Sequence, residues 1–597
     1  MAARIQLTTL DSFCDGRIIQ ALDDGHVLAA AAYTNGDDCF LAWTYPFTND
    51  CWGFAIWRDL TTAAGQKDAR FIDNRVGFAD DNPGPYEHKP STEWPFQRYT
   101  WTDHGVGEGD NVTYTITPVL KTPSQLTLNK KNAATVGPLA VTADASKTTH
   151  AYFNRGTLLS QFMARRLPPN FTTKDLTKVK NDLAKNDNEL RAFLMGQLGS
   201  RLIKLLDDAA AKRWHVYAAL YELSDVVLVG RLAALRQRAH VVLSNGSSKK
   251  KGTDGNANAA TELENVIDLH RRMLWSEGLG HNKFVVLARS PSDPFAVWTG
   301  STNWATTGLC TQMNNAILIE DSSLARTYLD QWKRLRDDGR TGARGQALHF
   351  APPLLAANDE VKVGGRGQGA WSVWFTRTTA GQDMEAAAEL INGAKHAILF
   401  LMFEPGSAGL LQVVQARLSP AAPTYNKDLY VHGVVNTLKD DGKNVAVSLV
   451  SRGQDSSFNL RVVQPEGVAD GLANWAKEVT RRDFILGQGG VIGHAIIHSK
   501  VIVIDPFTHP VVMTGSHNFS HPASAANDEN LVIAEGSKAL AQGYAVNIMS
   551  TYQHYRWRAY LQQCRNEHKS PWEHLAKNGL WQKKLAEHDP ELMFWVH

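Results

Sequence analysis

The chain is short of cysteine, of net charge and of long apolar runs. Five cysteines in 597 residues (Cys14, Cys39, Cys51, Cys310, Cys564) are too few for a disulfide framework, so free thiols are expected; Cys39 and Cys51 could pair only if the protein were exported. Lys and Arg number 62 against 60 Asp and Glu, a formal net charge of +2. That excludes the strong basic balance of a dedicated nucleic-acid binder, though not a local basic groove. No stretch reaches the roughly 18 continuous apolar residues of a membrane-spanning helix. The opening "MAARIQLTTLDSF" carries Arg4 but no apolar core, so no signal peptide is expected. A cytoplasmic location, or export without a classical signal, is the expectation. What remains, 43% hydrophobic and 20% charged, is an ordinary globular composition, long enough for about three or four domains.

The first 122 residues alternate in short segments ("CFLAWTY", "WGFAIWRDL", "NVTYTITPV") separated by turn clusters such as "NGDD" and "DDNPGP". That spacing predicts an antiparallel β-sandwich over 1–122. "GDNVTYTITPV", with Tyr114 ahead of alternating apolar residues, resembles the penultimate strand of a fibronectin type III domain, which implies an accessory module. A polar stretch over 123–145 reads as a linker. From there the chain repeats itself. "HAYFNRG" at His150 matches "SVWFTRT" at Ser372, "WHVYAALYELSD" at Trp214 matches "HAILFLMFEPGS" at His396, and "NNAILIED" at Asn314 matches "ENLVIAEG" at Glu529. Each repeat alternates apolar strands with amphipathic helices. The expected fold class is α/β, with two pseudo-symmetric halves at 146–345 and 371–560 behind the all-β sandwich. A Pro- and Gly-rich linker at 346–370 separates them, and a helical tail at 561–597 is expected to pack its Trp residues on the second half.

Chemistry concentrates in two matched stretches. "HNKFVVLARSPSDPFAVWTGSTNWA" supplies His281, Lys283, Gly300, Ser301 and Asn303; "HSKVIVIDPFTHPVVMTGSHNFS" supplies His498, Lys500, Asp505, Gly515, Ser516 and Asn518. Residues i and i+2 of a strand face one side, so each His and its Lys point into one space. Lys and Asn donors suit phosphate oxygens, with Ser301 and Ser516 as further candidates. A pair of imidazoles can supply one nucleophile and one general acid at neutral pH. Only the second copy has a carboxylate five residues beyond its Lys; Ala288 stands there in the first. At that separation Asp505 faces away from the His and Lys, so it reads, with Gly300 and Gly515, as part of the structural motif.

Across roughly 146–560 these residues resemble the phospholipase D superfamily, whose signature is His-x-Lys-x4-Asp followed by Gly-Ser-x-Asn. The resemblance implies metal-independent cleavage of a phosphodiester through a phosphohistidine, with no cofactor and no metal ligands. Tyrosyl-DNA phosphodiesterases of the superfamily lack the Asp and remain enzymes. The superfamily also implies that a residue beyond each motif backs the His of the other half, which assigns Glu529 to His281 and Asn314 to His498. A carboxylate behind an imidazole supports the cation that grows on attack. His281 is therefore the expected nucleophile and His498 the general acid that later activates water.

The expected substrate is a phospholipid head group, with peripheral membrane contact and a monomer of two fused halves. Two alternatives stay open: a nuclease or nucleic-acid end-processing enzyme using the same site, and a catalytically dead scaffold. "GSSKKKGTDGN", with Lys249 to Lys251, reads as a solvated basic loop. His494, His509 and His521 read as loop residues, and His517 as lining the pocket.

Overall fold

The computed structural model describes residues 17–20, 28–84, 87–156, 178–179, 181–246, 254–274, 278–338, 352–406, 409–436, 462–463, 496–566, 568–570, 573–583 and 589–596. Lys249 to Lys251 and His494 lie outside them. Two units are distinguished, Met1–Thr142 with Ser570–His597, and Ala143–Lys569.

In the first unit, alternating apolar residues build two antiparallel sheets. One runs Arg17–Gln20, Leu28–Thr34, Cys39–Thr44, Thr100–Asp103; the other runs Leu126–Leu128, Asn111–Lys121, Cys51–Thr61, Lys67–Phe71. Trp43, Phe54, Ile56, Tyr114 and Ile116 fill a common core. Cys39 and Cys51 sit on strands of different sheets, and both thiols are free and buried. Burial pushes the Cys51 thiol up to about 12, so it is chemically quiet.

Two expectations fail here. The 123–145 stretch is not a linker: Leu126–Leu128 and Ala134–Ala140 both pair with Asn111–Lys121, and Ala134 and Val136 are fully buried. Edge strands tolerate the Lys, Asn and Thr content that made this stretch read as a tether. The described Trp residues of the closing tail, Trp581 and Trp595, pack in the sandwich rather than as expected on the second half. The Trp581 ring lies 6.0 Å from Phe54 and 5.5 Å from Tyr99, and its indole N–H donates to the Cys51 carbonyl at 3.1 Å. The Trp595 ring lies 4.7 Å from Phe40, and its carbonyl accepts from Tyr33 Oη at 2.6 Å. Aromatic periodicity marks a face that must be covered; it does not say by what.

The second unit is a mixed α/β body with two large sheets. The first has the order Thr149–Phe153, Asn315–Ile319, Pro294–Gly300, Lys283–Ala288, His215–Leu220, Ala239–Ser244, Asp268–Arg272. The second has the order Lys362–Gly364, Ala370–Phe375, Asn530–Glu535, Val511–Gly515, Val501–Ile504, Ala397–Met402, Tyr430–Val435, Val462–Val463. In both, the last three strands are parallel and the others antiparallel. The central strands are apolar throughout ("FVVLA", "AILFLM", "VIVI") and buried at every position, as strands covered on both faces must be. Helix Glu189–Ala211 buries Leu194, Leu198 and Leu202 against the first sheet. Helix Gln382–Gly393 buries Ala387 and Ile391 against the second.

The 346–370 stretch is also more than a linker. It holds helix Pro352–Asn358 and strand Lys362–Gly364, which pairs with Ala370–Phe375. A Cβ on Gly364 would meet the Trp371 ring at 2.2 Å, so the glycine permits that pairing.

Because the tail belongs to the sandwich core, truncations should behave unequally. A chain lacking only residues 1–142 strands Trp581 and Trp595 and should elute as aggregate in size-exclusion chromatography. A chain cut to 143–569 should elute as a discrete folded species. Equal behaviour of the two would contradict the assignment of the tail.

Candidate active site

Strands Lys283–Ala288 and Val501–Ile504 lie side by side with Pro294–Gly300 and Val511–Gly515 respectively, so each brings its His-x-Lys next to its Gly-Ser. Lys283 Nζ donates to the His281 carbonyl at 2.7 Å, and Lys500 Nζ to the His498 carbonyl at 2.6 Å. An aromatic ring from the neighbouring strand end flanks each pair. The Tyr221 ring is 4.7 Å from His281 and 4.9 Å from Lys283 Nζ; the Phe403 ring is 4.7 Å from both His498 and Lys500 Nζ. All four basic residues are buried.

The imidazoles are held across the two sheets. His281 Nδ1 is 2.8 and 2.9 Å from the Glu529 carboxylate oxygens, and His498 Nδ1 is 2.9 Å from Asn314 Oδ1. Asn314 has one sensible orientation, because its Nδ2 donates to the Gly308 carbonyl at 2.8 Å. A carboxylate and an amide oxygen only accept, so each Nδ1 carries a proton, and in the neutral ring Nε2 holds the lone pair. Asn527 Nδ2 donates to Glu529 Oε1 at 3.0 Å and fixes the carboxylate in turn.

Gly300 (φ +155°) and Gly515 (φ +143°) carry their strands so near the next that a Cβ would meet the Asn315 or Asn530 carbonyl oxygen at 2.3 Å. Close approach, not turn-making, explains both glycines. The serine hydroxyls are spent in this framework. Ser301 Oγ donates to Asn314 Oδ1 at 2.8 Å and accepts from Asn315 N at 3.0 Å. Ser516 Oγ accepts from Asn530 N at 3.0 Å. Asn303 Nδ2 donates to Glu222 Oε2 at 2.6 Å. Asn518, at the matched position, is half-buried.

Asp505 faces away from these groups. Its carboxylate accepts from Lys395 N, His396 N and Ala397 N at 2.8, 2.7 and 2.7 Å, which tethers the start of strand Ala397–Met402. His517 does not line the pocket. It is fully buried, accepts from Phe519 N through Nδ1 at 2.9 Å, and turns Nε2 to within 3.0 Å of Asp383 Oδ2. His509 and His521 are exposed.

Several residues of the site were not singled out by sequence. Tyr221-Glu222 and Phe403-Glu404 end matched strands, and the aligned "LYELSD" and "MFEPGS" contain that signal. Asn315 and Asn530 are identical in both copies, and they cross between sheets. Asn315 Nδ2 donates to Thr514 Oγ1 at 2.6 Å and lies 3.3 Å from Tyr544 Oη. Asn530 Oδ1 accepts from Thr299 Oγ1 at 2.6 Å and from Tyr328 Oη at 3.1 Å.

Gathering basic groups away from water depresses them. Burial pushes His281 down to about 4 despite the pull of Glu529. Burial, with the Lys500 and Lys283 charges, holds His498 well below the imidazole range. Burial pushes Lys283 down to about 7, and burial with the Lys283 charge holds Lys500 well below the usual amine range. Burial alone would raise Glu529, but the hydrogen-bonded His281 and nearby Lys283 lower it. The Glu529 carboxylate accepts the His281 Nδ1 proton, and at about 4 that ring is neutral near neutral pH in the ligand-free protein. An anion entering this space favours the charged forms of all four basic groups, as Glu529 already does for His281, Lys283 and Lys500.

These shifts fix a pH dependence. Between an unfolded imidazole near 6.5 and a folded His281 near 4, the unfolded chain binds more protons, so stability falls on acidification through that window. By ¹⁵N NMR of the ligand-free protein, His281 should carry one proton, on Nδ1, at pH 6. A doubly protonated His281 ring at that pH would contradict the geometry.

Among families, a model described as cardiolipin synthase, PLD-like domain, matches residues 433–550. No curated protein sequence matches the chain. Solved structures similar to it include polyphosphate kinase from Porphyromonas gingivalis (11% identity, 56% of this chain and 45% of that one, TM-score 0.34). Phosphatidylserine synthase from Haemophilus influenzae aligns at 11% identity over 67% and 93%, with TM-score 0.36. Yeast tyrosyl-DNA phosphodiesterase aligns at 11% over 56% and 85%, with TM-score 0.32. The chain thus spans less than half of the kinase's length. The family-model match supports the phospholipase D superfamily.

Proposed function

We propose that the protein is a metal-independent phosphodiesterase of the phospholipase D type, built from two pseudo-symmetric halves, with the N-terminal sandwich as a fibronectin-like accessory module. The observation that carries the reading is the crossed pairing of His281 with Glu529 and of His498 with Asn314, which leaves two Nε2 atoms available beside two buried amines. Lys283 and Lys500 supply the positive charge that a metal would otherwise bring to the phosphate oxygens. Asn303, through its second amide hydrogen, and Asn518 add donors. Ser301 and Ser516 act through the strands they hold.

His281 Nε2 attacks phosphorus while Glu529 stabilises the growing imidazolium. Substrate charge offsets the repulsion that depresses His498, so it enters protonated. Lacking a carboxylate behind it, it readily passes its Nε2 proton to the leaving alkoxide. His498 Nε2 then takes a proton from water, hydroxide attacks the phosphohistidine, and His281 is released. An alcohol in place of water gives transfer instead of hydrolysis.

A phospholipid is the favoured substrate class. Leu279, two residues before His281, is 38% exposed, an apolar side chain beside a polar centre, and the matched family model is described by a lipid-forming enzyme.

The test is trapping of the phosphoenzyme. With a p-nitrophenyl phosphodiester, whose leaving group needs no protonation, His281→Ala should abolish labelling. His498→Ala should still label and then hydrolyse the adduct slowly, by about a hundredfold or more. Peptide mapping that finds the adduct on His498, with His281→Ala still labelling, would reverse the roles. Turnover should also persist in excess chelator; loss restored by magnesium or zinc would defeat the metal-independent reading.

A further inference from the structure

Phosphate needs donors, yet the site also contains acceptors that the reaction above leaves without work. Asn303 is 6% exposed. Its amide is oriented by Glu222, which draws Nδ2 to 2.6 Å, and its Oδ1 is buried with no hydrogen-bond partner among the described residues. Asn518, two residues after Ser516 as Asn303 is after Ser301, likewise has a buried Oδ1 without a partner among the described residues. Leaving a buried acceptor unmet is costly, so two at matched positions call for a donor. The first half also places a carboxylate here: Glu222, directly after the ring that flanks His281, holds Asn303 and raises Lys283.

A carboxylate next to an anion site opposes a terminal phosphate, whose extra charge it repels. It favours a diester in which a neighbouring hydroxyl or ammonium faces the carboxylate while the phosphoryl oxygens face the lysines. We infer that Glu222 with Asn303 is a specificity subsite for an ester alcohol carrying a hydrogen-bond donor. A polyol hydroxyl and an amino-alcohol ammonium share this chemistry. The inference rests on the phosphodiesterase reading and extends it from reaction to substrate.

The experiment uses the full-length protein and p-nitrophenyl phosphodiesters that differ only in the second alcohol: glycerol, ethanolamine, choline and methanol. The leaving group is constant, so ratios of kcat/KM report the second alcohol alone. The glycerol or ethanolamine ester should exceed the methyl ester by about tenfold or more, as for a site built to bond a donor. Choline, cationic without N–H, should gain less than ethanolamine. In Glu222→Gln the donor-to-methyl ratio should fall toward one. A fall confined to the ethanolamine ester identifies the ammonium as the natural donor, and a fall shared with glycerol identifies the hydroxyl. Turnover of all esters with a ratio near one, or ratios unmoved in Glu222→Gln, would overturn the subsite and leave the phosphodiesterase reading standing. No turnover of any ester would overturn both.

Discussion

Thr299 bonded to Asn530, and Thr514 bonded to Asn315, form a reciprocal clamp on which the rest of the second unit depends. Each threonine precedes a Gly-Ser, and each asparagine follows the residue that backs a histidine of the other sheet. The clamp therefore sets the distance between Glu529 and His281 and between Asn314 and His498 in one stroke. Tyr328 and Tyr544, from the helices after each sheet, close the same pairs, and their rings stack edgewise on Phe375 and Phe153 at 5.0 and 5.1 Å. A reciprocal contact of this kind resists sliding in either direction, because shortening one arm lengthens the other.

Around that clamp the site is held mostly by acceptors and backbone. The lysine amines rest on the carbonyls of their own histidines, the serines on the neighbouring strand, and Arg272 ties the approach to Glu529 by gripping Asp528 at 2.6 Å and Asp338 at 2.8 Å. The side chains that meet a ligand are thus set by fixed partners before it arrives. Preorganised dipoles of this sort cost little reorganisation when charge develops. The depressed amines and imidazoles are the other side of the same arrangement, since burial disfavours their charged forms.

Much of this was legible in the chain, for identifiable reasons. Period-two alternation marked the sandwich strands, and apolar runs of four to six residues marked the central strands of both large sheets. The repeat of "HAYF" and "SVWF" landed on strands that pair with matched neighbours, Asn315–Ile319 and Asn530–Glu535, with Lys362–Gly364 added outside the second. Alternation also told that Asp505 faces away from Lys500, and it now caps three backbone amides. Where reading failed, the deciding force was tertiary. Lys, Asn and Thr at 123–145 looked like a tether because edge strands can afford polar residues. His517 looked like a pocket residue because its neighbours are, but past the end of strand Val511–Gly515 its ring turns to Asp383. Glu222 was hidden because a lone acidic residue after a strand has no signal until Asn303 is brought beside it.

The placement of Trp581 and Trp595 has a consequence for how the chain comes to be folded at all. The sandwich core needs residues near both extremes of the sequence: the Tyr33 hydroxyl and the carbonyl it meets are 562 positions apart. During synthesis, domains fold as they emerge, N-terminal first. Here the strands that carry Phe40 and Phe54, with Tyr99, must wait, uncovered on one side, until the whole of the α/β unit has been made. The α/β unit interrupts the sandwich's order of assembly, and Trp581 and Trp595 complete that core only after it.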